Sequence, residues 1–249
     1  MIILEARNLT HVFPDGTVAI KDVNLAVRKG EFVVIAGANG SGKTVLVRHF
    51  NGLLLPSRGE VLLEGKPITK DLTRARKLIG LIFQDADSQI VGQTVAGDVA
   101  FGPENLRLAP EEVKKRVKES LEAVGLSHLA EQRPHLLSGG QKRRLTIAGV
   151  LAMKPRIIVF DEPFAGLDYP GVVQVLNQIL KLHREGHTMI VVTHDLEKVL
   201  AHADRLIILE KGQIVQDGRP CEIISQVERY GIKRPYGKNR GVESMTWLS

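Results

Sequence analysis

Eight residues, from Gly37 to Thr44, have the types and spacing of a phosphate-binding loop. Glycines in such a loop let successive backbone N–H groups point towards one anion, and the start of a following helix adds positive potential. The mostly apolar residues 31–36 predict a buried strand before the loop, and residues 43–52 predict a helix after it. A glycine-rich surface turn is the alternative, but this context favours a site for a nucleoside triphosphate. The predicted nucleotide-binding residues are Gly37, Ala38, Asn39, Gly40, Ser41, Gly42, Lys43 and Thr44.

Four side chains predict that the nucleotide is hydrolysed. In a phosphate-binding loop, Lys43 contacts the outer phosphates and the Thr44 hydroxyl binds Mg²⁺. Asp161 and Glu162 directly follow the apolar segment 157–160, at the end of a strand where ligands of open α/β sheets bind. We expect Asp161 to hold Mg²⁺ through its water shell and Glu162 to orient and deprotonate the attacking water. A solvated acidic turn is the alternative for this pair.

Two further polar residues come at the ends of predicted strands. Gln84 follows the apolar segment 78–83, and its side-chain amide can both bind Mg²⁺ through oxygen and hold a water molecule. A single glutamine at a strand end is usually a surface residue, so this prediction depends on the other motifs. His194 follows the segment 189–193 and can donate a hydrogen bond to a γ-phosphate oxygen. Both are predicted to take part in catalysis.

A second glycine-rich helix start lies at residues 137–141, with the sequence Leu-Ser-Gly-Gly-Gln. It is a second anion site by the same physical argument, and one domain does not need two such sites for one nucleotide. We therefore expect Ser138, Gly139 and Gly140, with Gln141, to bind the γ-phosphate of a nucleotide held by another copy. This arrangement predicts a head-to-tail dimer with two ATP molecules at its interface. A serine hydroxyl and a helix dipole supply the electrostatic stabilisation, so no arginine finger is needed.

The elements that position these residues alternate between strand and helix after the phosphate loop, which predicts an α/β core with a mainly parallel sheet. The segments 2–8 and 23–27 predict an N-terminal antiparallel β part, with a turn at residues 12–16 between them. Phe13 lies at that turn. Its ring is either at the edge of the core or stacked on a ligand.

The middle of the chain is predicted to be helical, because apolar side chains at positions 113, 117, 121 and 124 fall on one helical face. We predict one domain over residues 1–249. Its core comprises 1–93 and 154–220, and a helical subdomain at 94–153 is inserted into it. A short C-terminal tail at 221–249 follows, and its last fifteen or so residues are expected to be loosely structured.

Composition indicates a soluble globular protein, with 43% hydrophobic and 25% charged residues in 249. The net charge of +6 fits a nucleic acid partner, an acidic lipid partner or simple solubility. Cys221 is the only cysteine, which excludes an intrachain disulfide and favours a reducing compartment. The first residues lack the pattern of a signal peptide, and no apolar run is long enough for a membrane span. We therefore expect a cytoplasmic protein.

Taken together, these motifs resemble those of the ATP-binding cassette (ABC) ATPases over nearly the whole chain. The resemblance implies that fold, with ATP and Mg²⁺ as ligands. It also implies that Phe13 stacks on adenine and that Asp168 is a further nucleotide-binding residue. The matching motifs, in chain order, are Gly37–Thr44 (Walker A), Gln84 (Q-loop), Leu137–Gln141 (signature), Ile157–Glu162 (Walker B), Ala165–Asp168 (D-loop) and His194 (switch histidine).

A narrower resemblance is to the ATPases of energy-coupling-factor importers, especially the cobalt-importer type. It implies a second cassette subunit, a membrane coupling subunit and a substrate-capturing membrane subunit, at the cytoplasmic face of the membrane. The cargo would be a transition-metal ion such as cobalt or nickel, or a vitamin. Phe164 departs from the family pattern, which more often has a small polar residue there. The segments that carry this resemblance are Asn51–Pro56, Phe83–Ile90, Asp98–Leu106 and Ile147–Met153.

Two other functions compete with transport. One is a cassette that clamps ATP slowly as a regulatory switch, but Lys43, Glu162 and His194 are all present. The other is a soluble cassette ATPase that acts on DNA or ribosomes. The compact helical segment between phosphate loop and signature, and the single cassette, are unlike such relatives. We therefore expect no nucleic acid partner, and expect the loop from Gln84 to Gln93 to contact the membrane partner.

Overall fold

The strands of the protein form two sheets in a computed structural model that describes residues 1–234 and 241–248. The strands are β1 (Ile2–Val12), β2 (Val18–Arg28), β3 (Phe32–Ala36), β4 (Arg58–Leu63), β5 (Lys66–Pro67), β6 (Ile79–Ile82), β7 (Ile157–Asp161), β8 (Thr188–Val192), β9 (Arg205–Glu210) and β10 (Gln213–Gly218). The α-helices are α1 (Lys43–Phe50), α2 (Leu72–Leu78), α3 (Val95–Asn105), α4 (Pro110–Ala123), α5 (Gly139–Ala152), α6 (Tyr169–Arg184) and α7 (Pro220–Ile223). None of the described helices is long and apolar enough to span a membrane.

The smaller sheet is antiparallel, with the strand order β2-β1-β4-β5. The larger has the order β10-β9-β3-β8-β7-β6, and all its pairings are parallel except that of β10 with β9. Every residue of β3, β7 and β8 is buried, as expected for parallel strands that are covered on both faces. The predicted α/β fold with an N-terminal antiparallel part is confirmed.

The core lies on both faces of the larger sheet, and the pleat of β3 divides its residues between them. Phe32, Val34 and Ala36 pack with helices α3 to α6, whereas Val33 and Ile35 pack with α1 and the antiparallel sheet. Side chains along a strand alternate between its faces, so a continuous apolar run supplies both layers. This double burial fixes β3, and with it the start of the phosphate loop.

Four strands of the larger sheet bring the predicted motifs to one edge. The strands β3, β8, β7 and β6 are neighbours in this order and run parallel. Their C-terminal ends lead into the phosphate loop, His194, Asp161 and Gln84, respectively. The ladder continues past the strands, since the Glu162 N–H donates to the Val192 carbonyl at 2.8 Å. Residues far apart in sequence therefore meet where open α/β sheets bind ligands.

Short helical segments precede β6 and follow His194. Helix α2 precedes β6 and was missed; Asp71 caps it by accepting a hydrogen bond from the Arg74 N–H at 2.8 Å. The segment after His194 forms a pair of 3₁₀ turns, Leu196–Lys198 and Leu200–His202. Short segments such as these take their form from tertiary contacts more than from residue propensity.

The expectation of a loose C-terminus is wrong for residues 241–248. Val242–Ser244 forms a 3₁₀ turn, and Met245 is 5% exposed within the main core cluster. The Met245 carbonyl accepts a hydrogen bond from the Ala201 N–H at 3.0 Å. Apolar side chains of this segment pack against the core, and a local sequence pattern does not predict such a long-range contact. The rest of that expectation, at residues 235–240 and 249, lies outside the described residues.

Candidate nucleotide-binding and hydrolysis site

The phosphate loop joins β3 to α1 and packs tightly on neighbouring backbone. A Cβ atom at Gly37 would lie 2.3 Å from the Leu209 carbonyl oxygen, and one at Gly42 would lie 2.7 Å from that of Ala19. Gly42 also has φ 101° and immediately precedes helix α1. Glycine is required at both positions, because any side chain would push the loop away from the strands that support it.

The Lys43 side chain is buried within the loop and lies across it. Its ammonium donates hydrogen bonds to the carbonyl oxygens of Gly37, at 2.7 Å, and Ala38, at 3.0 Å. Burial lowers the pKa of Lys43, and the carboxylates of Glu162 and Asp161 oppose this shift. The ammonium is thus pre-positioned beside the loop amides, where it adds positive charge to an anion cradle.

Two buried oxygen atoms in the loop region have no hydrogen-bond partner among the described residues. They are Oδ1 of Asp161, which is 4% exposed, and the hydroxyl of Ser41, which is 5% exposed. Burial raises the pKa of Asp161, and a hydrogen bond from Thr44 is the main opposing effect. An unsatisfied buried polar atom costs free energy, so such atoms indicate a ligand. The Asp161 carboxylate beside the Thr44 hydroxyl fits hydrated Mg²⁺, which prefers oxygen ligands and retains water.

Glu162 is held in an uncommon backbone conformation beside His194. Its φ is 49°, in the left-handed region, which costs a non-glycine residue of order 1–3 kcal/mol unless the surroundings enforce it. Its side chain is nearly buried, and Oε1 lies 2.8 Å from Nδ1 of His194. The half-exposed imidazole thus fixes the carboxylate. The sequence predicted both residues at strand ends but not this direct contact.

Lys43, Glu162 and His194 line one cleft of about 600 Å³, whereas the buried Asp161 is not among the residues that line it. Phe13 lines it too, and its ring packs edge-on against His11 with centroids 4.9 Å apart. The buried His49 supports His11 in turn, because Nε2 of His49 lies 3.1 Å from Nδ1 of His11. This position favours the ligand-stacking interpretation of Phe13 over the core-edge one. The sequence did not indicate other lining residues, namely Thr17, Val18, Ala19, Val45 and Lys211.

The signature residues Ser138, Gly139, Gly140 and Gln141 do not line this cleft. They begin α5, where Ser138 and Gln141 form a capping box: the Ser138 N–H donates to Gln141 Oε1 at 2.8 Å, and the Gln141 N–H donates to Ser138 Oγ at 3.3 Å. The first amides of a helix have no carbonyl partner within it. Ser138 and Gly139 are exposed, so these amides are presented at the surface.

Asp168, which was expected to bind nucleotide, does not line the cleft of its own chain. Its carboxylate accepts a hydrogen bond from the Gly171 N–H at 3.0 Å and caps helix α6. Aspartate is among the best N-cap residues, and the proline that follows within the first turn suits a helix start. A Cβ atom at Gly140 would lie 3.9 Å from the Gly171 backbone, so Asp168 and the signature segment share one surface.

Arg143 is a buried residue of α5 that sequence reasoning missed. Its guanidinium donates to the backbone carbonyls of Phe83 and, at 2.5 Å, Gln84. Burial lowers the pKa of Arg143, and the carboxylates of Asp85 and Asp161 oppose this shift. Gln84 itself is exposed and lines the cleft. Arg143 therefore ties the helical segment to the Gln84 loop, although in sequence it belongs to what looks like a solvated basic cluster.

In the loop after Gln84, one side chain bonds to the protein's own backbone and another is exposed. Gln89, expected to face a membrane partner, accepts a hydrogen bond from the Phe83 N–H at 2.9 Å and donates to the Leu81 carbonyl at 3.2 Å. Its amide matches the unpaired backbone groups at the end of β6, which is why it turns inward. Val91, by contrast, is 61% exposed and is the better candidate for a contact residue.

Comparison with known proteins agrees with this site. A sequence model described as ABC transporter matches residues 20–165. The chain is 49% identical over 231 residues to the energy-coupling factor transporter ATP-binding protein EcfA of Methanocaldococcus jannaschii, covering 92% of this chain and 83% of that protein. It is 45% identical over 248 residues to EcfA1 of Clostridium novyi, covering 96% and 85%.

Solved structures give the same result. The cbiO1 protein from Clostridium perfringens, described as part of the ABC transporter complex cbiONQ, matches with a TM-score of 0.82 at 39% identity and covers 92% of each chain. An ATP-binding cassette solved as a dimer in a post-hydrolysis state with ADP and Pi matches with a TM-score of 0.78 at 31% identity, covering 87% of this chain and 98% of that one.

A phosphate loop, an Asp–Glu pair and a histidine at adjacent strand ends, with a separate glycine-rich helix start, define an ATP-binding cassette. The chain belongs to the ABC transporter family. It is an ATPase whose hydrolysis of ATP is coupled to transport.

Proposed function

We propose that this chain is the ATP-hydrolysing subunit of an energy-coupling-factor importer. It would act at the cytoplasmic face of the membrane, with a membrane coupling subunit and a substrate-capturing subunit. The strong identity to the EcfA proteins and the match to cbiO1 support this proposal. One structural observation carries the enzymatic part: Glu162, fixed by His194 at 2.8 Å, borders the same cleft as Lys43 and Thr44.

The residues of the cleft divide the hydrolysis reaction among them. Lys43 and the loop amides bind the phosphates of ATP, and the Phe13 ring stacks on adenine. Thr44, Asp161 and Gln84 would hold Mg²⁺, which would neutralise charge on the phosphates. Glu162 accepts a proton from the attacking water. His194 keeps the Glu162 carboxylate oriented towards the cleft and also contacts the γ-phosphate. The role of Asp161 as a Mg²⁺ ligand explains why its buried Oδ1 has no hydrogen-bond partner among the described residues.

We further propose that two cassettes close head to tail around two ATP molecules. Ser138, Gly139 and Gly140 of one cassette then face the γ-phosphate bound by the other, with Gln141 holding the helix start in place. The exposed start of α5 and its separation from the cleft of the same chain support this arrangement. Asp168 would act at that interface by fixing the start of α6 next to the signature segment.

Complementation between two inactive variants tests the head-to-tail dimer. Lys43→Ala removes the lysine of a chain's own cleft, and Ser138→Arg blocks its signature surface. Mixed dimers of the two variants contain one site with both defects and one intact site, so ATPase activity should return on mixing. The control is a chain carrying both substitutions, mixed with Lys43→Ala, which leaves every site defective. No recovery in the first mixture would contradict a site shared between chains.

Transport and cargo are tested in the complete complex. Membrane subunits that copurify from a detergent extract would be reconstituted in vesicles with this chain or with Glu162→Gln. ATP-dependent uptake of cobalt, nickel or a vitamin that requires Glu162 would support the importer assignment and identify the cargo class. Copurification with nucleic acid and without membrane proteins would instead support the clamp or nucleic-acid alternative.

A further inference from the structure

Residues 241–248, here termed the C-terminal strap, pack beside the catalytic histidine turn. The strap is fixed to the 3₁₀ turn Leu200–His202, where Nε2 of His202 is 2.8 Å from the Thr246 hydroxyl. Its Trp247 ring lies 5.6 Å, centroid to centroid, from Tyr169, the first residue of α6. The Tyr169 hydroxyl also donates to the Trp247 carbonyl at 3.4 Å. The strap thus bridges the His194 region and the helix that follows the D-loop.

Trp247 covers a lysine that is nearly buried. The Lys198 side chain is 11% exposed, and its ammonium lies 4.8 Å from the centroid of the Trp247 ring and 5.9 Å from that of Phe164. The same ammonium donates to Asp195 Oδ2 at 2.6 Å. A cation held between two aromatic rings and a carboxylate is well fixed, because each partner compensates for lost hydration.

The contacts continue from this lysine to the catalytic base. The other carboxylate oxygen of Asp195, Oδ1, is 3.7 Å from Nε2 of His194. His194 then contacts Glu162 through its opposite ring nitrogen at 2.8 Å. Trp247, Lys198, Asp195, His194 and Glu162 therefore form an unbroken sequence of contacts. Phe164 belongs to it as well, because its ring lies 5.9 Å from the Lys198 ammonium.

We propose that Trp247 and Lys198 are positioning residues for ATP hydrolysis. Docking of the strap holds Lys198 on Asp195, and Asp195 in turn holds the imidazole of His194 in the orientation that aims Glu162 at the cleft. Engagement of His194 by a γ-phosphate is transmitted in the reverse direction to Trp247. This inference deepens the proposed function and rests on the roles given there to Glu162 and His194.

Substitutions in the full chain test the effect on turnover. Lys198→Met and Trp247→Ala should lower kcat by about tenfold, because a misoriented catalytic group slows chemistry. The KM for ATP should change little, because neither side chain lines the cleft. The conservative variants Lys198→Arg and Trp247→Phe should retain most of the activity. Lys181→Met, an exposed lysine of α6, is the matched control and should leave both constants unchanged.

The fluorescence of Trp247 provides a second test that needs no substitution in the strap, since this is the only tryptophan of the chain. A non-hydrolysable ATP analogue with Mg²⁺ should shift its emission, whereas ADP with Mg²⁺ should not, since ADP lacks the γ-phosphate. The shift should disappear in His194→Ala. Identical emission with the analogue and with ADP would overturn the proposed coupling.

The failure of this proposal differs from the failure of the proposed function. Glu162→Gln is measured in the same preparation as the strap variants. Native activity in Glu162→Gln would show that Glu162 is not the catalytic base, and the proposed function would fail in that respect. Loss of activity in Glu162→Gln, together with native kcat in Lys198→Met and Trp247→Ala, would leave the proposed function intact and refute the role of the strap.

Discussion

The chain has two glycine-rich helix starts that look alike in sequence and differ in structure. In the phosphate loop, Gly37 and Gly42 pack against backbone, Lys43 is buried, and the Ser41 hydroxyl has no described partner. In the signature segment Ser138 and Gly139 are exposed, and each side chain of the capping box, Ser138 and Gln141, accepts a hydrogen bond from the backbone N–H of the other residue. Glycine next to a helix start predicts that an anion can bind. Only the surroundings show whether the site is a cradle within one chain or a surface for the neighbouring chain.

The acidic residues near the two segments differ in the same way. Asp161 and Glu162 are nearly buried beside the phosphate loop, and their backbone is fixed by the sheet. Asp168, close to the signature segment, is exposed and caps a helix. We propose that the first pair acts in hydrolysis, whereas Asp168 lies at the exposed surface to which we propose that the second cassette binds.

The largest expected effect concerns the catalytic side of this comparison. Glu162→Gln should retain ATP binding and lower turnover about a hundredfold or more, because general-base catalysis contributes that much. The variant should accumulate as an ATP-bound dimer that size exclusion detects. Glu185→Gln, an exposed residue at the end of α6, is the matched control. Hydrolysis at the native rate by Glu162→Gln would mean that another group is the base.

The two sets of glycines should respond in opposite ways to an added methyl group. Gly37→Ala should lower the free energy of unfolding by about 1–3 kcal/mol, because its Cβ would meet the Leu209 carbonyl at 2.3 Å. Gly139→Ala should not destabilise the chain, since the nearest atom to its Cβ is 4.0 Å away. It should nevertheless reduce ATPase activity at concentrations where dimers form. Denaturant unfolding and ATPase assays compare the two; equal destabilisation would contradict the structural contrast.

Asp161→Asn should separate stability from function within the cradle. Burial raises the pKa of Asp161 above its ordinary value of 3.8, so its carboxylate destabilises the fold at neutral pH. That cost declines as the pH falls through the folded-state pKa and is gone below 3.8. Asp161→Asn should therefore be about 1 kcal/mol more stable than the native chain at pH 7, and this advantage should vanish in acid.

Melting temperatures across pH measure this difference. Mg²⁺ with ATP should stabilise the native chain more than the variant, because Asp161 would hold the cation. A variant that is less stable at pH 7, or equally stabilised by Mg²⁺ with ATP, would show that the carboxylate has protein partners that compensate for its burial.

The fold and several residues of the cleft could be predicted from local sequence patterns. Asp161, His194 and Gln84 were predicted because each ends a short apolar segment, and parallel strands place such ends along one edge. Arg143 and Lys198 were not predicted, since their roles depend on contacts with residues distant in sequence. Asp168 was expected at the nucleotide from its motif alone. It does not line the cleft of its own chain, and its role towards a second cassette stays a prediction.

The smallest expected effects concern the loop between cleft and membrane partner, where two neighbouring residues should behave differently. Gln89→Ala removes hydrogen bonds to the backbone of Leu81 and Phe83, so Gln84 should shift and the ATPase activity of the isolated subunit should fall by about fivefold or less. Val91→Ala alters only an exposed side chain and should leave that activity unchanged. In the reconstituted complex, Val91→Ala should reduce uptake, because its side chain would contact the partner. Ile2→Ala, another exposed apolar residue, is the control. Native uptake by Val91→Ala, or loss of its isolated ATPase activity, would show that the coupling contact lies elsewhere.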